Sequence, residues 1–216
     1  MVNSVDESRK IKEAYAVMWQ CVESQLKMAF DSLINNDKTM ARDILLKGNS
    51  ISAQESLVDN LCEDYIAEFA PKAENLRLVL SMLKINHSLK RIGYFAESIA
   101  YFVLYQQSKS FSTEFAKDLQ INKMLDITLK MTGLAKCSFD TLDVAKANRV
   151  LGLERVVNDI NNNALDVIVT YIKGDTGRSK EFLSLMLAIR KIERICDKLS
   201  SVAKNVIRYI EAKNIK

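Results

Sequence analysis

The stretch Leu185-Met-Leu-Ala-Ile-Arg-Lys-Ile-Glu-Arg-Ile-Cys-Asp-Lys-Leu-Ser-Ser-Val-Ala-Lys-Asn-Val-Ile-Arg-Tyr-Ile210 decides the fold class. Its residues Leu185, Ile189, Ile192, Cys196, Leu199, Ala203, Val206 and Ile210 step alternately by four and three. That rhythm puts them on one stripe of an α-helix, like a coiled-coil seam; a strand would alternate with period two. Apolar residues keep the helical period nearly throughout the chain. Breaks fall at Asn35-Asn36-Asp37, at Pro71, at Ser108–Thr113, near Ser138–Thr141 and at Gly174-Asp175-Thr176-Gly177. They predict six helices of about 25–36 residues, roughly 40–55 Å long. Pro71 fits the first turn of the third helix, where a missing N–H costs nothing. Helices this long with such short connections must fold back antiparallel, so the expected unit is an up-down bundle.

The quoted stretch has an echo 103 positions earlier. Leu80-Ser-Met-Leu83 falls on Leu183-Ser-Leu-Met186, Arg91-Ile92 on Arg194-Ile195, and Ser98-Ile-Ala100 on Ser201-Val-Ala203. The seam carries over as Met82, Asn86, Leu89, Gly93, Ala96, Ala100 and Val103. A repeat near half the chain length predicts an all-α protein of two tandem three-helix units. The expected division is residues 1–108 and 109–216, with the boundary near Ser108.

Composition agrees. The 216 residues include 6 Gly and 1 Pro, where average usage would give roughly 25. Without the residues that supply φ > 0 and fixed φ, a many-stranded sheet with tight turns is hard to build. This excludes a β-sandwich, a barrel or a Rossmann fold, and Gly- or Pro-rich disorder as well.

The net charge of +4 is unevenly spread. Residues 1–108 carry −2 and residues 109–216 carry +6, all of it from Arg178 to Lys216. A solvated helix face accounts for such an excess, and so does a surface for an acidic partner. No basic cluster has interleaved aromatic residues, which argues against nucleic acid. Cys21, Cys62, Cys137 and Cys196 are scattered with no CxxC, so they read as small buried hydrophobes in a reducing compartment. The polar start, Met1 to Lys12, has no signal-peptide core, and no apolar run approaches the ~20 residues of a membrane span. A cytoplasmic protein is expected.

Catalytic signatures are missing. The one histidine, His87, follows Lys84 by three positions, so there is no Glu-x-x-His. Walker A, GxGxxG, GxSxG and HExxH motifs are absent too. An enzyme is not expected. What remains is carboxylates one helical turn apart: Glu55 and Asp59, continued by Glu63, and Glu193 and Asp197. Like charges at that spacing repel. A hard cation on oxygen ligands would relieve them, and so would neighbouring bases such as Arg190, Arg194 and Lys198.

The run Phe69-Ala-Pro-Lys-Ala-Glu-Asn-Leu-Arg-Leu-Val-Leu-Ser-Met-Leu-Lys-Ile-Asn-His-Ser-Leu-Lys-Arg-Ile-Gly-Tyr-Phe-Ala-Glu-Ser-Ile-Ala100 resembles the PhoU family of phosphate-uptake regulators. That family typically reads Gln-Pro-Val-Ala-x-Asp-Leu-Arg-Leu-Val-Leu here, followed by Leu-Glu-Arg-Ile-Gly-Asp-x-Ala-x-Asn-Ile-Ala. A second hallmark resembles Lys191-Ile-Glu-Arg-Ile-Cys-Asp197. The resemblance implies acidic motifs that bind metal, as iron or zinc clusters, in each bundle. Glu55 and Asp59 keep the second-helix motif, but the third-helix acids fall on Lys90 and Tyr94. Lys90 is expected to replace a cation with a salt bridge to Glu55 or Asp59. In the second bundle Glu193 and Asp197 are kept, with Glu154 and Asp159 as candidate partners on the fifth helix. A single divalent or iron/zinc-type ion there is the expected cofactor.

The resemblance further implies a non-enzymatic regulator of phosphate uptake or phosphate-starvation signalling. It would dock on a phosphate transporter ATPase subunit or a sensor histidine kinase, peripheral to the membrane, as a homodimer. The docking face expected is the basic sixth helix, with Arg190, Arg194, Lys198, Lys204 and Arg208. The alternatives are a metal-binding bundle without a regulatory role, and a regulatory subunit of a sodium- or proton-coupled phosphate carrier.

Overall fold

A computed structural model describes residues 4–106 and 113–214. The expected boundary near Ser108 lies outside the described residues. All regular structure among the described residues is helical: α1 Ser4–Asn35, α2 Lys38–Leu46, α3 Gly48–Phe69, α4 Ala73–Tyr105, α5 Thr113–Asp118, α6 Ile121–Asp140, α7 Val144–Gly174, a 3-10 turn Thr176–Arg178, and α8 Ser179–Asn214.

The six expected helical segments are present, but two of them are interrupted. The second breaks at Lys47, between α2 and α3. Gly48 opens α3 hard against α4, where a Cβ would sit 2.8 Å from Glu97 Oε1. The fourth breaks at Gln120, whose φ of 52° no helix allows. Around that break Phe115, Leu119 and Ile121 are all buried. Pro71 also differs from expectation. It stands in the turn between Ala70, left-handed at φ 43°, and the α4 N-cap Lys72, not in the first turn of α4.

Two helix starts are fixed by aspartate. The Asp37 carboxylate accepts from Thr39 N and Met40 N, at 2.9 and 3.0 Å, where α2 begins. Asp143 accepts from Lys146 N at 3.1 Å where α7 begins. Each bond satisfies a donor that a helix N-terminus leaves free.

Helices α1, α3 and α4 pack together with α2 against α1 and α4, and α6, α7 and α8 form a second group. The groups meet along α4 and α8, which run antiparallel. At one end Arg77 Nη1 donates to Ala212 O (2.8 Å) and Lys213 pairs with Glu74 (2.7 Å). Near the middle, Lys191 Nζ lies 5.7 Å from the Phe95 ring centre. A second contact joins α1 to α6 through Tyr15 and Phe139, ring centres 5.1 Å apart, and through Lys136 and Glu23 at 3.3 Å. All eight seam residues of α8 are buried within the chain, as are all seven echoes on α4. One polar residue is among them, Asn86 on α4, fully buried.

Candidate functional site

The acidic pairs lie on α3 and on α8, each facing a neighbouring long helix. In the first bundle Glu55 is turned inward and buried, which for a carboxylate demands partners. Lys90 Nζ, on α4, is 2.6 Å from Glu55 Oε2. His87 Nδ1 stands 4.0 Å from Oε1. One turn along α3, Asp59 Oδ1 accepts from Asn86 Nδ2 (2.9 Å), which also donates to Glu55 O (3.0 Å). The expected salt bridge of Lys90 with Glu55 is therefore present. Tyr94 points outward, 57% exposed, edge-on to Phe95. An ammonium already bound to Glu55 and a phenol turned to solvent do not fit a metal ion. Glu55 and Asp59 are the acids turned toward α4, and Glu63, one turn further on, is exposed.

In the second bundle Glu193 and Asp197 are half-buried, one turn apart on α8. Burial pushes the Glu193 carboxyl above its ordinary range, and the charge of Asp197 and a hydrogen bond with it push the same way. Arg194 and Arg190 pull against that shift. Glu154, half-buried on α7, adds its field to those of Asp197 and Glu193 at the Cys196 thiol. Burial raises the Cys196 thiol, and the charges of Asp197, Glu154 and Glu193 all raise it further. Asp159 is exposed on α7.

Sequence reading passed over Asn158, one turn beyond Glu154. Its Oδ1 is buried without a hydrogen-bond partner among the described residues, as is Asn161 Oδ1. A signal for it existed. The 103-residue shift carries Gly93 onto Cys196 and Gln25 onto Thr128, and contacts obey it. Gln25 Nε2 donates to Gly93 O (3.2 Å), and Thr128 Oγ1 lies 3.2 Å from Cys196 Sγ. The same shift carries Glu55 onto Asn158 and Lys90 onto Glu193. Among the described residues no three His, Cys, Asp or Glu side chains converge as a metal site. The oxygens that Glu193, Asp197, Glu154 and Asn158 carry are of the kind hard cations take.

The expected docking residues also lie on α8. Arg190, Arg194, Lys204 and Arg208 are exposed and Lys198 is half-buried. None of the five has a salt bridge among the described residues. One feature here was missed. Leu183 and Leu187 are 52% and 63% exposed and share this outward face with Arg190 and Arg194. The spacing of three and four opposite the seam was its signal. Among the described residues no helix is long and apolar enough to cross a membrane.

Comparison with known proteins bears on this arrangement. The family model described as the PhoU domain matches residues 16–103 and again 121–206. The phosphate-specific transport system accessory protein PhoU of Escherichia coli K12 is 24% identical over 211 residues, 97% of this chain and 86% of its own length. A PhoU homolog of Thermotoga maritima is 26% identical over 100% of this chain and 94% of its own. The crystal structure of PhoU from Pseudomonas aeruginosa matches with a TM-score of 0.90 at 25% identity, over 97% of this chain and 99% of that one. A family domain met twice, once in each three-helix unit that the repeat and the α4–α8 packing define, places the chain in the PhoU family.

Proposed function

We propose that this protein is a non-enzymatic regulator of phosphate uptake. It acts on the cytoplasmic side of the membrane by docking on a phosphate transporter ATPase subunit or a sensor histidine kinase. Relatives named as phosphate transport accessory proteins support the process. The observation that carries the docking reading is the outward face of α8. Four exposed cations with no salt bridge among the described residues adjoin two exposed leucines, which suits an acidic surface with an apolar centre. The test reverses Arg190, Arg194, Lys198, Lys204 and Arg208 to Glu and measures binding to the transporter ATPase. Affinity should fall at least tenfold at low salt, with most of the loss in the on-rate. Undiminished affinity at low salt overturns the assignment to this face.

A second reading concerns metal, and the orphaned Asn158 Oδ1 favours it. Glu193, Asp197 and Glu154, with Asn158, would hold one hard divalent cation or iron in the second bundle. Elemental analysis of purified protein with and without Glu193→Ala/Asp197→Ala tests it. A stoichiometric metal lost in the double variant supports the reading, and metal-free protein of normal stability refutes it.

A further inference from the structure

We propose that Lys90 is a built-in cation occupying the carboxylate site of the first bundle, so that this half of the chain takes up no metal. Glu55 is 7% exposed, and its Oε2 lies 2.6 Å from the Lys90 ammonium. Removing Lys90 would leave the Glu55 carboxylate, its side chain only 10% exposed, without its counter-charge. The bond is therefore not readily surrendered to a metal ion, which would have to displace an ammonium tethered to α4. Asp59 is occupied as well, by the amide of the fully buried Asn86. Glu55 and Asp59 are both already held, each by a different α4 side chain.

The repeat makes the substitution legible as an exchange. The shift that carries Lys90 onto Glu193 also carries Glu55 onto Asn158, and Tyr94 onto Asp197. Where the second bundle sets an acid on its third helix against a neutral amide, the first sets a base against an acid. The first pairing neutralises itself, while the second leaves two half-buried acids one turn apart and an amide oxygen without a partner among the described residues. Any cation uptake by this chain is thereby confined to the second bundle. The α3–α4 contact holds without one. This inference is independent of the regulatory role proposed above.

The test uses the full chain carrying Glu193→Gln/Asp197→Asn, so that the second bundle contributes nothing, and Mn2+ alone as the probe. In that background, calorimetry should detect no Mn2+ site. Adding Lys90→Glu/Tyr94→Asp should create one equivalent, and adding Glu55→Gln to that protein should remove it. An Mn2+ site present with Lys90 intact and abolished by Glu55→Gln overturns the proposal. So does a folded Lys90→Glu/Tyr94→Asp protein that binds no Mn2+. If that variant does not fold, Lys90→Met replaces it, with circular dichroism to confirm the helices. Its melting temperature should rise by several degrees with Mn2+, and the rise should vanish with Glu55→Gln. A Lys90→Met protein indifferent to Mn2+ overturns the proposal equally.

Discussion

A Cβ built on Gly93 of α4 would lie 2.6 Å from Ile51 Cδ1 of α3, and 3.2 Å from Ile51 Cγ2. Ile51 is 2% exposed and has little room to retreat. Gly93 is thus a seam position emptied to admit a neighbour's branched side chain. Its counterpart on α8 is Cys196, fully buried with its Sγ 3.2 Å from Thr128 Oγ1. Ala in a helix interior is worth about 1 kcal/mol over Gly. Overpacking a tight core costs about 1–3 kcal/mol. Gly93→Ala is therefore expected to destabilise by about 1 kcal/mol in urea melts, despite its better propensity. Adding Ile51→Val removes the clashing methyl, and the double variant should lose less than the sum of the two singles.

Asn86 is the polar member of the α4 seam, and its amide holds Asp59 Oδ1 and Glu55 O together. Hydrogen bonds to charged groups contribute about 1.5–3 kcal/mol. Asn86→Ala should cost about 2 kcal/mol of stability. Asn86→Asp should cost more at pH 7, since it sets a second carboxylate against Asp59. Part of that extra loss should return as the pH is lowered toward 4. Chemical denaturation at the two pH values checks both statements.

Periodicity made the helices and both seams legible, because burying a stripe requires spacings of three and four whatever the neighbours are. Lys90 could be set against Glu55 or Asp59 because a base standing where an acid is expected can neutralise the acids left on α3; which of the two it pairs with needed the structure. The breaks at Lys47 and Gln120 were not legible. Neither site carries Pro, and the glycine beside the first break, Gly48, is helical with no positive φ. Asn158 was hidden for a related reason. Its amide is unremarkable until the burial of its oxygen is known, and only the repeat shift from Glu55 would have marked it.

Asp143 gives a pH-dependent signal at the start of α7. Its side chain bonds to Lys146 Nζ and to the Lys146 backbone N–H, and these hold its carboxyl below the ordinary 3.8. A group depressed in the folded state adds stability that is complete above its unfolded pKa and is lost as pH falls through the folded one. Asp143→Asn keeps an N-cap acceptor but not the ion pair. Its melting temperature should lie below wild type at pH 7, and the gap should close as the pH drops through 3.8 and below. Asp143→Ala also loses the cap, so part of its deficit should persist at low pH.

Thiol chemistry divides the four cysteines by where the helices put them. Cys62 and Cys196 are wholly buried, and burial is the main force that pushes both thiols up to about 12. For Cys62 the charges of Asp59 and Glu63 add to it, and for Cys196 those of Asp197, Glu154 and Glu193, against a Thr128 hydrogen bond that opposes. Attack requires the thiolate and access to it, and these two positions deny both. Cys21 and Cys137 are only partly covered. Folded protein titrated with an aromatic disulfide at pH 8 should therefore release two equivalents of thiolate rapidly, and Cys21→Ser/Cys137→Ser should abolish that phase. Cys62 and Cys196 should react only as fast as the bundles open, and in full once the chain is denatured. Four rapid equivalents from the native protein would mean that the seam at Cys196 and the α3 core at Cys62 are not closed as described.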